Sequence, residues 1–201
     1  MGVIYYILGK SSCGKDTVYR RLLNDSELCL KSIVLYTTRP MREGERDGVS
    51  YHFTSEECFE QLKEKGLVIE DRVYSTVHGP WRYFTVKDFS IDAEGYDYLV
   101  TGVLSSYLST AGYFGRDRVI PIYIEVDDGV RLERALKREL KPENRKFREM
   151  CRRFLSDDED FSEEKLESAG ITRRFINDDL NRCTGEIRNY ILERKTDGYK
   201  G

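Results

Sequence analysis

Residues 9–17 read GKSSCGKDT. Gly9, Gly14 and Lys15 meet the spacing G-x-x-x-x-G-K, and the flanks suit it. The apolar run from Val3 to Leu8 predicts a strand before the loop. A helical pattern begins at Lys15, with Val18, Leu22 and Leu23 on one face. Strand, glycine-rich turn and helix form a setting in which successive N–H groups and a helix N-terminus face an anion. Lys15 adds a full charge that reaches the terminal phosphates of a nucleotide. Gly9, Lys10, Ser11, Ser12, Cys13, Gly14, Lys15, Asp16 and Thr17 are therefore the candidate ATP-phosphate residues. The plain alternative is an ordinary strand–turn–helix connection.

The position after Lys15 normally carries a hydroxyl that ligates Mg²⁺. Here Asp16 stands there and Thr17 follows. A carboxylate is also a hard oxygen ligand, so Asp16 is one candidate for the metal. The other reading points Asp16 outward as an acid at a helix N-terminus and gives the metal to Thr17. Cys13 is either a thiol sensitised by the helix dipole or a passive small residue.

Outward from the loop, further strands are expected at Ile33–Tyr36, Tyr98–Thr101, residues 119–126 (VIPIYIEV) and Arg174–Ile176. Pro121 belongs near its strand's start or at a bulge. Helices are expected over 55–65, over Gly129 to Leu155 with a break at Pro142, and from Asp179 to Arg194. Strands alternating with helices give an α/β fold with a mostly parallel sheet.

Composition narrows the function classes. The chain has 201 residues, 39% hydrophobic and 12% aromatic, enough for one packed core. Its 33 basic and 36 acidic residues leave a net charge of −3, which argues against a nucleic-acid-coating protein. No apolar run approaches a membrane span of about 20 residues, and MGVIYYILGK lacks the layout of a signal peptide. No membrane partner and a cytoplasmic location are expected. The five cysteines form no CxxC pair and only two histidines are present, which disfavours a disulfide framework or a His-rich metal site.

A second signal lies at 36–53, YTTRPMREGERDGVSYHF. Arg39 and Arg42 offer two guanidinium forks for a phosphate dianion. Tyr51 can add a hydroxyl, and Glu45 can orient an arginine. The segment also reads as a solvated charged loop. It resembles the TTRxxRxGExxGxxYxF signature of guanylate kinases, with Thr37, Thr38, Arg39, Arg42, Gly44, Glu45, Gly48, Tyr51 and Phe53 in register. INDDL at 176–180 is similar to the NDDL-type stretch before that family's last helix. The two N-terminal motifs are specific; the third is supportive.

The resemblance implies a nucleoside monophosphate kinase of the P-loop fold: a parallel sheet flanked by helices, an inserted acceptor-binding subdomain and a helical lid. The core would be 1–36, 89–136 and 158–201, the insert 37–88 and the lid 137–157. ATP as co-substrate, Mg²⁺ and a nucleoside monophosphate, GMP first, are the implied ligands. Arg39, Arg42, Glu45 and Tyr51 would bind the acceptor phosphate, Glu70 the guanine edge, and Asn177 the ATP side. Glu70 also reads as a surface acid at a strand end. Three stretches depart from the family. Leu35 replaces a guanine-reading serine, HGPWRYFT fills 78–85, and LVTGVLSS at 99–106 lacks the family's aspartates. Trp81, Tyr83 and Phe84 either stack on a base or belong to the core. A different phosphorylated acceptor is thus a rival. A phosphopeptide-binding module is another, although such modules typically lose the phosphate loop kept here. No NKxD-type motif supports a GTPase.

The third signal is charge segregation. Residues 131–153 hold ten Arg or Lys against four acids, a net +6, which leaves −9 elsewhere. SDDEDFSEEKLE follows at 156–167. Phosphoryl transfer relies mostly on positioning and charge stabilisation, so this reads as an arginine lid. By the resemblance Arg138 and Arg153 are the leading catalytic candidates beside Lys15 and Arg39, with Arg152 and Arg148 next. The bland reading is a solvated face of ion pairs such as Glu149 with Arg153.

Overall fold

In a computed structural model of the chain, which describes residues 2–42, 44–76, 79–87, 96–141 and 145–198, strands and helices alternate as the pattern requires. The elements are β1 (Ile4–Leu8), α1 (Lys15–Leu23), β2 (Leu30–Ser32), β3 (Tyr36–Thr37), β4 (His52–Phe53), α2 (Glu56–Glu64), β5 (Val68–Thr76) and β6 (Gly79–Val86). They continue with β7 (Asp97–Gly102), α3 (Leu104–Phe114), β8 (Val119–Glu125), α4 (Asp128–Glu139), α5 (Phe147–Asp160), α6 (Glu163–Ser168), β9 (Arg174–Ile176) and α7 (Leu180–Gly198).

The first sheet runs in the order β2-β7-β1-β8-β9, and every pairing in it is parallel. All five residues of β1 are buried, as a strand covered on both faces must be. Its side chains alternate between two cores. Tyr5 and Ile7 meet Val18 and Leu22 of α1 and Cys183, Ile187 and Ile191 of α7. Ile4, Tyr6 and Leu8 meet Leu104 and Tyr107 of α3 and Phe161 and Leu166 on the other side. Pro121 is tolerated inside β8 because β9 pairs with that strand only from Tyr123 onward.

A second, four-stranded sheet, β4-β3-β6-β5, rests on its own small core of Phe59, Phe84 and Val86. Ser55 caps α2, its side chain accepting the Cys58 N–H. The apolar run Ile33–Tyr36 is not one strand. β2 ends at Ser32 in the first sheet and β3 begins at Tyr36 in the second. Ile33 is buried in the first core, whereas Tyr36 stacks on Phe84 in the other, ring centroids 5.3 Å apart. The run therefore serves two cores and crosses between them.

The basic helical region is two helices, α4 and α5. Pro142, the expected break, lies outside the described residues, as does His78. The last helix extends beyond its expected end, to Gly198. Among the described residues no helix is long and apolar enough to cross a membrane.

Candidate active site

The loop leaves β1 at Gly9 and enters α1 at Gly14. A Cβ on Gly9 would stand 2.5 Å from the carbonyl oxygen of Ile124, so only glycine lets the loop lie this close to β8. Gly14 has φ of +92°, and a Cβ there would meet Asn177 Nδ2 at 2.4 Å. That amide donates to the Cys13 carbonyl at 2.7 Å, while its Oδ1 is buried without a hydrogen-bond partner. Asn177 is thus a strut beneath the loop, held in turn by Arg134, which donates to its carbonyl at 3.0 Å. Cys13 is fully buried, and burial pushes its thiol pKa up despite nearby Lys15. Of the two readings for Cys13, the passive one fits. Lys15 is half-buried at the start of α1, Thr17 is half-buried and Asp16 is exposed.

The other half of the loop is clamped by α4 and α5. Arg131, 1% exposed, pairs with Asp128 at 2.6 Å and Asp157 at 3.3 Å, and donates to the Ser11 carbonyl at 3.2 Å. Its guanidinium also lies 4.5 Å from the Phe154 ring centre. Lys10 extends to Asp158 at 2.7 Å, so its ammonium is engaged by acids rather than left facing the loop's interior. Arg138 and Arg153 line a cleft against Ser11 and Ser12 together with Phe154. Arg153 and Arg152 both pair with Glu149, at 2.8 and 2.7 Å, and these two arginines hold that carboxyl down at about 2. The expected ion pair on this face is therefore real, and it occupies a lid candidate. Arg138 pairs with Glu139 at 3.1 Å; Arg148 is exposed.

Just after β3, Arg39 is 4% exposed. Its Nη1 donates to Glu45 at 2.7 Å and to the Pro40 carbonyl at 2.9 Å, its Nη2 donates to Glu45, and its Nε donates to the Tyr83 hydroxyl at 3.1 Å. Glu45 also accepts the Arg42 N–H at 2.8 Å; the Arg39 hydrogen bonds hold its carboxyl below the usual range. Four of the five donor directions of Arg39 are thus taken by protein. The Arg42 side chain is exposed. Tyr51 packs edge-on against Tyr83 with centroids 5.6 Å apart, and burial raises its phenol pKa. Its ring centre lies 5.0 Å from the Arg39 guanidinium carbon.

Glu70 is a buried acid rather than a surface one, at 7% exposure. Thr85 donates to its Oε1 at 2.7 Å, and Arg72 Nε approaches Oε2 at 3.1 Å. Arg72 lies two residues on along β5, hence on the same face. Burial opposes its charge, but Glu70 and the phenols of Tyr6, Tyr74 and Tyr51 more than restore it, raising its pKa. Tyr6 rises to this junction from β1 and donates to Ser106 Oγ of α3 at 2.7 Å; burial pushes its pKa up to about 12. Gly102 ends β7 beneath this phenol. A Cβ there would stand 2.2 Å from Tyr6 Oη, so the packing leaves no room for a side chain at that position.

Phe84 is fully buried in the second core, so it is not a stacking residue; Tyr83 lies beside Arg39 instead. Reading the sequence residue by residue passed over Arg72, Tyr6 and Arg131. The available signal for Arg72 was its spacing of two from Glu70 in a strand. A cavity of about 430 Å³ beside Lys10 and Arg131 is walled by Glu125, Asp127, Asp128 and Glu163, an excess of acids that disfavours a phosphate, so the Lys15 loop and the Arg39–Glu45 cluster remain the candidate site. Among the described residues no three His, Cys, Asp or Glu side chains converge as a metal site.

Residues 2–80 match the family described as guanylate kinase. A guanylate kinase of Caldanaerobacter subterraneus subsp. tengcongensis is 30% identical over 195 residues, covering 96% of this chain and 88% of the relative. One from Symbiobacterium thermophilum is 29% identical over 204 residues, covering 96% and 86%. The solved structure of guanylate kinase from Anaplasma phagocytophilum superposes with a TM-score of 0.68 at 21% identity, over 96% of this chain and 86% of that one. It shares the α/β architecture of P-loop nucleoside monophosphate kinases.

Proposed function

The chain belongs to the guanylate kinase family, and from that premise we propose that it is an ATP-dependent phosphotransferase acting on a phosphomonoester, with GMP the acceptor its relatives' names suggest. What supports this reading is that the chain keeps both parts such a transfer needs. The loop with Lys15 and Asp16 follows β1, and Arg39, bound to Glu45 at 2.7 Å, lies 5.0 Å from the Tyr51 ring centre.

In this reading the loop amides and Lys15 hold the ATP phosphates, and Asn177 keeps the loop in shape. Arg42, Tyr51 and the remaining N–H of Arg39 hold the acceptor phosphate, while Glu45 and Tyr83 fix the Arg39 fork. An acceptor phosphate oxygen attacks the γ-phosphorus. The bond to the β,γ-bridging oxygen breaks, and ADP leaves with the electron pair. The attacking oxygen is already anionic, so no protein general base is needed. Arg138 and Arg153 stand beside Ser11 and Ser12, where closure would bring them onto the transferred group and exclude water.

The donors at the start of α1 fit Mg²⁺: the Asp16 carboxylate and the Thr17 hydroxyl are hard oxygens and adjacent, and a phosphate-bound Mg²⁺ needs only one or two protein ligands. When bound, the metal neutralises charge on the β- and γ-phosphates.

A second reading, the same transfer to an acceptor other than GMP, is favoured by one observation, the occupation of Glu70 by Arg72 and Thr85. ADP release from Mg·ATP, measured with and without each nucleoside monophosphate, tests the proposal. Acceptor-dependent release supports it, and a rate indifferent to every acceptor refutes it.

A further inference from the structure

The far end of the acceptor site has changed polarity. Along β5 and β6 the cross-strand pairs run Glu70 with Thr85, then Arg72 with Tyr83, and Tyr83 in turn binds Arg39. Arg72 therefore stands between the phosphate grip and Glu70, on the face the acceptor would occupy. Glu70 is the carboxylate that would receive the two N–H groups of a guanine edge. Here Oε1 already accepts Thr85 at 2.7 Å and faces Arg72 Nη2 at 3.4 Å, while Oε2 faces Arg72 Nε at 3.1 Å. The Nε makes no well-aligned hydrogen bond although it is buried, and Arg72 Nη1 has no acceptor among the described residues. The Tyr6 phenol fills the space beside Gly102, so no acidic side chain stands there. What the pocket offers a base is a mostly buried cation with its Nη1 unspent, backed by a neutral phenol.

We infer that Arg72 sets acceptor specificity, so that this site takes a nucleoside monophosphate whose base edge carries carbonyl oxygens in preference to one whose edge carries an amino group. Guanine would have to displace Arg72 from Glu70 and leave a buried guanidinium facing its amino group. A base with a carbonyl at that position accepts from Arg72 and leaves the Glu70 pair intact. Buried donors left without acceptors are costly, which is how such sites discriminate. The inference rests on the kinase reading above and deepens it.

XMP and GMP make the test sharp, since xanthine has a carbonyl oxygen where guanine has its 2-amino group; UMP extends it to a smaller base. Affinity and Mg·ATP-dependent turnover are measured for all three with the wild-type chain and with Arg72→Met, whose folding is checked by Mg·ATP binding. XMP or UMP should exceed GMP by about tenfold or more in kcat/KM, and Arg72→Met should swing that ratio toward GMP by a similar factor. A wild-type preference for GMP overturns the inference even if the variant does not fold, and so does a ratio unmoved by Arg72→Met. If none of the three binds while Mg·ATP does, the nucleotide-acceptor reading itself fails, and the inference with it.

Discussion

Ser11 and Asp157 lie 146 positions apart in the chain, yet the Ser11 N–H donates to the Asp157 carboxylate at 2.7 Å. Arg131 braces that contact from beneath, bonding to the Ser11 carbonyl and to Asp157. The bridge ties the loop to α5 and holds the Ser11 N–H, so it must open before that amide can meet a phosphate or α5 can close. Replacing Arg131 with Met leaves Asp157 and Asp128 without their buried cation. Because Asp128 is half exposed, the loss belongs at the lower end for a broken buried pair, about 3 kcal/mol. The urea midpoint should fall accordingly, and a midpoint within error of wild type would show that the bridge bears no load.

Asp16 supplies a test by metal removal. An exposed carboxylate at the start of α1 repels free ATP and attracts its Mg²⁺ complex. Removing Mg²⁺ with a chelator should weaken ATP binding more in wild type than in Asp16→Ser, by several-fold. Equal ratios of affinity with and without Mg²⁺ in the two proteins would return the metal to Thr17 alone.

Gly14 and Gly102 are places where a side chain has no room, for different reasons. At Gly14 the backbone is left-handed and Asn177 crowds the missing Cβ, so Gly14→Ala should raise the KM for ATP by tenfold or more. At Gly102 the obstacles are the Tyr6 hydroxyl at 2.2 Å and Ser106 Oγ at 2.7 Å. Gly102→Asp should destabilise the fold by about 1–3 kcal/mol through overpacking, and Tyr6→Phe should relieve part of it. Thermal unfolding of the two single variants and the double variant measures both.

Glu149 gives a pH signature. Its carboxyl is held at about 2 by Arg152 and Arg153, below the unfolded value of about 4.3. A depressed pKa contributes stability that is complete above the unfolded pKa and is lost as pH falls through the folded one. The stability difference between wild type and Glu149→Gln should therefore shrink between about pH 4.5 and pH 2. The group is partly exposed, so the effect is small and should fade in high salt. A difference that stays constant over that window would contradict it.

The parallel core was legible because its signals are local: an apolar strand before Gly9, a helical face after Lys15, and later runs at the expected spacing. Ile33–Tyr36 was not, since an apolar run says that residues are buried but not in which of two cores. The cluster of Arg39, Arg42, Glu45 and Tyr51 could be read because these residues are near one another in sequence. The Arg131 bridge and the Tyr6–Gly102 contact could not, because each joins segments about a hundred residues or more apart, and Arg131 is also buried among sequence neighbours that form a solvated basic helix. Composition did carry one long-range hint. The acids at 157 and 158 lie just past the basic stretch, and they are the ones that hold Lys10 and Arg131.

The account stands on transfer between the two half-sites, and acceptor-dependent ADP formation measures it most directly. With Mg·ATP and a panel of nucleoside monophosphates, wild type should release ADP only when a suitable acceptor is present. Lys15→Ala, folded as judged by its melting curve, should lose at least a hundredfold in kcat/KM, about 2.7 kcal/mol of transition-state stabilisation. ADP release that ignores the acceptor, or that survives in Lys15→Ala, would contradict it.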